Sequence, residues 1–170
     1  MSDRRLVTIE FTRSKKRLPI FGWIIQMVQR TKYSHVRILW KAMGEIPVIY
    51  EASGSSLKFI GPKANESNPV DVIHSYPFNL SNEEYRGLIK LCMMFSNIAY
   101  GKKQIVGMGL VYAFGLKKNP FADGRKSQVC SEVVGSFLDK VLGWETGLDL
   151  DIAGPREIQE TIENHIGAKK

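Results

Sequence analysis

Cysteine is scarce in this chain of 170 residues, which contains only Cys92 and Cys130. Two cysteines cannot form a multi-disulfide scaffold, and together with three histidines they match no common zinc-binding spacing. We therefore expect neither a disulfide framework nor a bound metal ion.

Long apolar runs are missing as well. The most apolar stretch near the N-terminus, residues 18–28, contains Pro19, Gly22 and Gln26 and is shorter than the ~20 residues of a membrane span. Residues 1–5 do not lead into an uninterrupted apolar segment with a small-residue cleavage site, as a secretory signal would. We expect no transmembrane helix and no signal peptide, which favours a cytoplasmic or virion-associated protein.

The composition is that of a folded domain. Hydrophobic residues make up 44% and charged residues 24% of the chain, which excludes collagen-like and disordered classes. The length predicts a single domain, residues 1–170, large enough to build its own core. The 24 Lys and Arg residues outnumber the 17 Asp and Glu residues, giving a formal charge of +7 and favouring anionic partners.

The order of strands and helices predicts an α+β fold. Alternating β-branched and aromatic residues predict strands at 6–11, 36–40, 46–52 and 57–60, with a weaker one at 70–74. Apolar residues at helical spacing predict helices at 19–30, 82–97, 103–116 and 129–142 and a last one from Pro155, with a polar loop at 117–128. Turn residues separate the middle three strands, which indicates a β-meander.

Cys130 is a candidate nucleophile because it lies in the first turn of a predicted helix. The N–H groups and dipole of a helix N-terminus favour a thiolate, and the same N–H groups can stabilise an oxyanion. The alternative is that Cys130 is a small apolar packing residue. Cys92 lies in the middle of a helix on its apolar stripe, which indicates a structural role.

His35 is the candidate base. It begins a predicted strand, and strand alternation places it on the face opposite Val36 and Ile38. The other two histidines, His74 and His165, are predicted to be surface or packing residues.

Glu51, near the end of the next strand, is the candidate carboxylate that orients His35. If Ala42 to Gly44 form a three-residue hairpin loop, His35 lies directly opposite Glu51. A two-residue loop would shift the register by one residue and put Glu51 on the other face of the sheet. The alternative role of Glu51 is that of a solvated carboxylate at the end of a strand.

Several short segments resemble a known family. They are Tyr33-Ser34-His35-Val36, Tyr50-Glu51-Ala52-Ser53-Gly54, Ala99-Tyr100-Gly101, Val129-Cys130-Ser131-Glu132-Val133-Val134 and Pro155-Arg156-Glu157-Ile158. In this order they resemble the circularly permuted NlpC-type papain-like cysteine peptidases and amidases, over roughly residues 30–160. In that family the histidine precedes the cysteine, the reverse of papain.

The resemblance implies a papain-like α+β fold in which a small antiparallel sheet or barrel packs against the helix that carries the nucleophile. It implies Cys130 as nucleophile, His35 as general base, Glu51 as the residue that orients His35, and Tyr33 near the oxyanion site. The implied activity is hydrolysis of an amide, typically in bacterial cell-wall peptides, by a bacterial or phage protein. Neither a metal nor an organic cofactor is needed for such a reaction.

Arg37 departs from the family pattern, because many relatives have a small residue soon after the histidine. A cation two residues from His35 on the same strand face would depress the pKa of His35 or bind a substrate carboxylate.

Three alternatives stay open. One is a hydrolase or acyltransferase of the same fold that acts on acyl lipids, and another is a basic nucleic-acid binder, although no recognition motif accompanies the positive charge. The third is a virion protein without activity.

Overall fold

The computed structural model describes residues 4–15, 20–41, 46–53, 56–67, 69–123 and 127–168. The strands are β1 (Arg5–Ser14), β2 (His35–Lys41), β3 (Pro47–Ser53), β4 (Ser56–Ile60), β5 (Val70–Leu80), β6 (Ala99–Tyr100) and β7 (Ser127–Gln128). The helices are α1 (Ile20–Gln29), α2 (Pro62–Ser67), α3 (Asn82–Phe95), α4 (Lys102–Phe114), α5 (Cys130–Lys140) and α6 (Pro155–Gly167). The predicted α+β class is confirmed.

The strands form one sheet in the order β5-β1-β2-β3-β4-β6-β7. Every neighbouring pair is antiparallel except β6 and β7, which are parallel. The predicted meander corresponds to β2, β3 and β4, whose consecutive strands are neighbours in the sheet.

Strand β5 is longer than the sequence indicates. It covers 11 residues and continues through Pro77, whereas the sequence pattern predicted a strand that ends at His74. Pro77 is tolerated because β5 is an edge strand that pairs only with β1, so the missing N–H need not leave a partner unsatisfied. A register shift between Phe11 and Thr12 marks a bulge in this pairing.

The register between β2 and β3 differs from the predicted one. Ile38 pairs with Tyr50 and Lys41 with Pro47, so the connection spans residues 42–46 rather than Ala42 to Gly44 alone. The predicted turn residues themselves lie outside the described part of the chain. Continuing the observed register places Arg37, and not His35, directly opposite Glu51. Because the register differs by two residues, the side chains of His35 and Glu51 stay on the same face.

The five predicted helices are all present, and the short α2 was not predicted. The start of α3 contains both hydrogen bonds of the predicted capping box: the Glu84 N–H donates to Ser81 Oγ at 3.2 Å, and the Ser81 N–H donates to Glu84 Oε2 at 2.7 Å. Within the described ranges, no helix combines the length and apolarity needed to cross a membrane.

The core lies between the sheet and helices α3, α5 and α6. Alternate side chains of β1 and β2 enter it, together with one face of each helix. Its fully buried members include Ile9, Phe11, Ile38, Leu88, Phe137, Leu138, Ile158 and Ile162. Since α5 packs on β2, the N-terminus of α5 lies beside the start of β2. Cys130 is the first residue of α5, and His35 is the first residue of β2.

Candidate active site

Cys130 is the first residue of α5 and is only 3% exposed. The backbone just before it is fixed by Glu132, whose carboxylate accepts the Val129 N–H at 2.7 Å. The thiol therefore occupies a defined position at the helix N-terminus, where unpaired N–H groups favour negative charge.

The Cys130 thiol and the His35 imidazole are hydrogen-bonding neighbours. Burial by itself raises the pKa of Cys130. The positive charge and hydrogen bond of His35 oppose this effect, as do hydrogen bonds from the backbone N–H groups of Val36 and Ser131, and the net pKa lies below the ordinary thiol value. This arrangement favours a thiolate at Cys130.

His35 is the first residue of β2, and its side chain is 20% exposed. Burial lowers its pKa, but the thiolate of Cys130 and the carboxylate of Glu51 raise it more, so the net pKa lies above the ordinary value for histidine. His35 and Cys130 thus shift each other towards an imidazolium–thiolate pair.

Glu51 reaches His35 from β3. Its Oε2 lies 3.7 Å from Nε2 of His35, a distance typical of an ion pair and longer than a hydrogen bond. Burial raises the pKa of Glu51, whereas His35 and Arg37 lower it more, and the net pKa is below the ordinary carboxyl value. An ionised Glu51 is suited to holding the His35 ring and stabilising its charged form.

Arg37 lies in a buried polar network behind this carboxylate. Its Nε donates to Glu10 Oε2 at 2.8 Å, one guanidinium N–H group donates to Asn65 Oδ1 at 3.0 Å, and Glu51 Oε2 lies 3.7 Å away. The side chain is only 7% exposed. The structure therefore places Arg37 against Glu51 rather than in an open substrate cleft, and the pKa of His35 is raised rather than depressed.

Tyr33 is not directed towards Cys130. It is buried, packs edge-on against Phe11 and His74, and its hydroxyl hydrogen-bonds to Gln159 of α6. With its neighbours it lines a cleft of about 500 Å³ that does not include Cys130.

Tyr100 brings a phenol to Cys130. It ends β6, which pairs with β7 just before Cys130, and its hydroxyl hydrogen-bonds to Cys130. Burial raises its pKa well above the ordinary value, and the negative charge of Cys130 adds to this effect. Tyr100 was not among the predicted site residues, although it lies in the Ala99-Tyr100-Gly101 segment of the resemblance.

Apolar side chains close the inner side of the site. Around Cys130 and Glu51 they belong to β2, β3, β4 and α5: Val36, Ile38, Tyr50, Ala52, Leu57, Val133 and Val134. Water is therefore scarce behind the thiol, which strengthens its interaction with His35.

The environment of the second cysteine favours the neutral thiol rather than the thiolate. Cys92 is fully buried in α3, and burial raises the pKa of its thiol to about 12. The remaining histidines pack on aromatic rings: His74 on Tyr33 and Tyr76, and His165 on Trp144. Of the two thiols, Cys130 is therefore the one whose surroundings favour the thiolate.

The described residues contain no group of three or more His, Cys, Asp or Glu side chains that could hold a metal ion. No protein-family model matches the chain, and comparison with curated proteins gives no match.

Proposed function

We propose that the protein is a cysteine hydrolase that cleaves an amide through a thioester intermediate on Cys130. The observation that carries this proposal is the contact chain from Cys130 through His35 to Glu51, at a helix N-terminus. A nucleophile, a base in contact with it and a carboxylate in contact with the base are the components of covalent acyl transfer.

The order of events follows from the contacts. His35 holds the proton released by Cys130, and the thiolate attacks the substrate carbonyl to form a tetrahedral oxyanion. The N–H groups at the start of α5 stabilise that oxyanion. His35 then donates its proton to the leaving amine as the C–N bond breaks, which leaves a thioester. Water, deprotonated by His35, attacks the thioester and releases the acid and the Cys130 thiol.

Resemblance to the circularly permuted NlpC-type papain-like peptidases supports a cell-wall peptide as the substrate class. The strand that begins at His35 precedes in the chain the helix that begins at Cys130, and this order supports the proposal of a permuted papain-like fold. The resemblance extends to Tyr50-Glu51-Ala52, which supplies the carboxylate.

An acyl-lipid hydrolase or acyltransferase is the second candidate. It rests on the same resemblance, because related permuted folds act on acyl groups of lipids. The nucleophile, base and thioester are the same in both proposals, and only the acyl donor differs.

Trapping of the acyl-enzyme tests the shared chemistry without knowledge of the substrate. The protein is mixed with p-nitrophenyl acetate, nitrophenolate release is followed, and the acetylated residue is located by mass spectrometry of acid-quenched peptides. We expect a burst of release and one acetyl group on Cys130, both absent in Cys130→Ala and retained in the matched variant Cys92→Ala. Acetylation confined to lysines, or a burst that survives in Cys130→Ala, would overturn the proposal.

A further inference from the structure

Helices α1 and α4 pack against each other, and each exposes apolar side chains to solvent. Gly109 of α4 lies at their contact, where a Cβ would be 3.4 Å from Ile24 Cγ2. The exposed apolar side chains of the pair, with their exposed fractions, are Ile20 (75%), Trp23 (53%) and Met27 (54%) on α1 and Val106 (39%) and Phe114 (74%) on α4. We refer to these five residues as the apolar face.

On α1 the exposed residues form one stripe, because Ile20, Trp23 and Met27 follow the i, i+3, i+7 pattern. On α4, Val106 and Phe114 are eight residues apart and therefore point about 80° apart around the helix axis. The opposite sides of the helices are buried, for example at Ile25 and Ile105. A surface helix usually turns polar residues to solvent, so the exposed stripe of α1, beside a helix that also exposes apolar side chains, indicates a binding surface.

Basic residues border the apolar face, and acidic residues are absent from its sequence surroundings. Arg30 directly follows α1, Lys102 and Lys103 begin α4, and Lys117 and Lys118 follow its end. The chain contains no Asp or Glu between Glu10 and Glu45 or between Glu84 and Asp123, the two segments that hold these helices. The segments that form and flank the two helices therefore carry basic residues and no acidic ones, and Glu157 of α6 brings a carboxylate to the end of α1, where it accepts a hydrogen bond from Gln29 Nε2 at 2.8 Å.

The position of two of these lysines supports a role in binding. Lys102 and Lys103 occupy the first turn of α4, where no acidic residue is present. Positive charge at a helix N-terminus opposes the helix dipole, so these lysines weaken the helix rather than stabilise it.

We infer that the apolar face and its basic border bind the surface of an anionic lipid membrane. Aromatic and aliphatic side chains with a surrounding ring of cations match an acyl-chain boundary beneath negative headgroups. A second copy of the chain fits less well, because two such faces would bring only cations together around the contact. Nucleic acid would leave the exposed Ile20, Met27 and Phe114 without apolar partners. This inference does not depend on catalysis by Cys130.

Vesicle co-sedimentation tests the inference with the full chain. The probes are vesicles of phosphatidylcholine alone and of phosphatidylcholine mixed with phosphatidylserine, each at low and at high salt. We expect binding to the mixed vesicles at low salt, and weaker binding to the neutral vesicles and at high salt.

Two sets of variants locate the surface. Lys117→Gln with Lys118→Gln should weaken partitioning about 5-fold for each lysine removed, and Trp23→Ser with Phe114→Ser should abolish it. The matched control is Met93→Ser with Met94→Ser, because these α3 residues are 65% and 71% exposed but lie on another element. A circular dichroism melt checks that each variant is folded.

Four results would overturn the inference. Three of them are the absence of binding to mixed vesicles, equal loss of binding in the Met93/Met94 control, and a chain that forms a dimer through Trp23 and Phe114 in light scattering. Salt-sensitive binding to DNA or RNA that is lost in the lysine variant and unaffected by Trp23→Ser would also overturn it.

Discussion

The reactivity of Cys130 depends on the protons held by its neighbours. Burial disfavours the thiolate of Cys130 and His35 favours it, so a modest change in the environment of His35 changes the pKa of Cys130. Glu51 and Tyr100 contact the two members of this pair from different strands. Substitutions at these two positions separate the contribution of orientation from that of hydrogen bonding.

Glu51→Gln should reduce the acylation rate by about 10²-fold, the scale of positioned acid–base catalysis. The amide keeps the shape of the side chain but removes the negative charge that raises the pKa of His35. The pH profile of acylation should shift with the rate, because a lower His35 pKa leaves less imidazolium beside the thiolate. A rate that falls without any change in the profile would indicate a merely structural role.

Tyr100→Phe tests the hydrogen bond to the nucleophile. A phenol that donates to a thiolate favours the ionised form, so its removal should raise the pKa of Cys130 and slow acylation at neutral pH. We expect a loss of about tenfold, the scale of one hydrogen bond to a charged group, with partial recovery at higher pH, measured as burst rate against pH. Tyr33→Phe is the matched control, because the Tyr33 hydroxyl bonds to Gln159 and not to Cys130; an equal effect in both variants would contradict the assignment.

At the scale of the elements, the buried Arg37–Glu10 pair joins β2 to β1 and holds the strand that carries His35. The two side chains are 7% and 11% exposed, so removal of Glu10 leaves the Arg37 charge buried with the more distant carboxylate of Glu51, at 3.7 Å. Glu10→Gln should therefore lower the free energy of unfolding by about 3 kcal/mol, as measured by urea denaturation.

A double-mutant cycle separates the pair from its surroundings. Glu10→Gln and Arg37→Met together should cost less than the sum of the single changes, by about 1–3 kcal/mol. The exposed Arg13–Asp71 pair is the matched control, because its side chains are 44% and 36% exposed and Arg13→Met should cost less than about 1 kcal/mol. Strict additivity at Glu10 and Arg37 would contradict a coupled pair.

The elements also show how far the sequence determines the site. The helix that begins at Cys130 and the strand that begins at His35 follow from local apolar periodicity, which is why both were predicted. The register of β2 on β3 depends on the connection at residues 42–46, which the apolar pattern does not specify. The prediction therefore brought Glu51 to the correct face but placed it opposite the wrong residue.

Contacts between distant segments were harder to predict. Tyr100 reaches Cys130 because β6 lies between β4 and β7 in the sheet, a long-range pairing without a local signal in a two-residue strand. Strand β5 was predicted too short because Pro77 is acceptable only at a sheet edge, and sequence alone did not identify that edge.

For the molecule as a whole, the ionisation of Glu132, in the first turn of α5, makes the free energy of unfolding depend on pH. Burial raises its pKa to about 8, although it accepts the Val129 N–H. The folded protein thus holds a proton that the unfolded chain releases near pH ~4.3. Because the folded state binds more protons, the contribution of Glu132 to the free energy of unfolding falls as pH rises from about 4 to about 8.

Glu132→Gln should remove this dependence while it keeps an acceptor for Val129. We expect the variant to match the wild type near pH ~4 and to be more stable by at least about 1 kcal/mol near pH ~8, by urea denaturation at both values. Glu83→Gln, at an exposed position in the first turn of α3, should show no such difference. A Glu132→Gln protein that is less stable at the higher pH would contradict the protonated state of Glu132.

If His35 makes Cys130 a reactive thiolate, the rate of alkylation by iodoacetamide should depend on pH in a way that requires His35. Wild type, His35→Ala and Cys130→Ala are compared, the last to report any reaction at Cys92, whose pKa of about 12 predicts very little. We expect Cys130 to titrate well below the ordinary thiol value of ~8.5 and to lose this advantage in His35→Ala. An ordinary thiol titration, unchanged in His35→Ala, would contradict the pairing of Cys130 with His35.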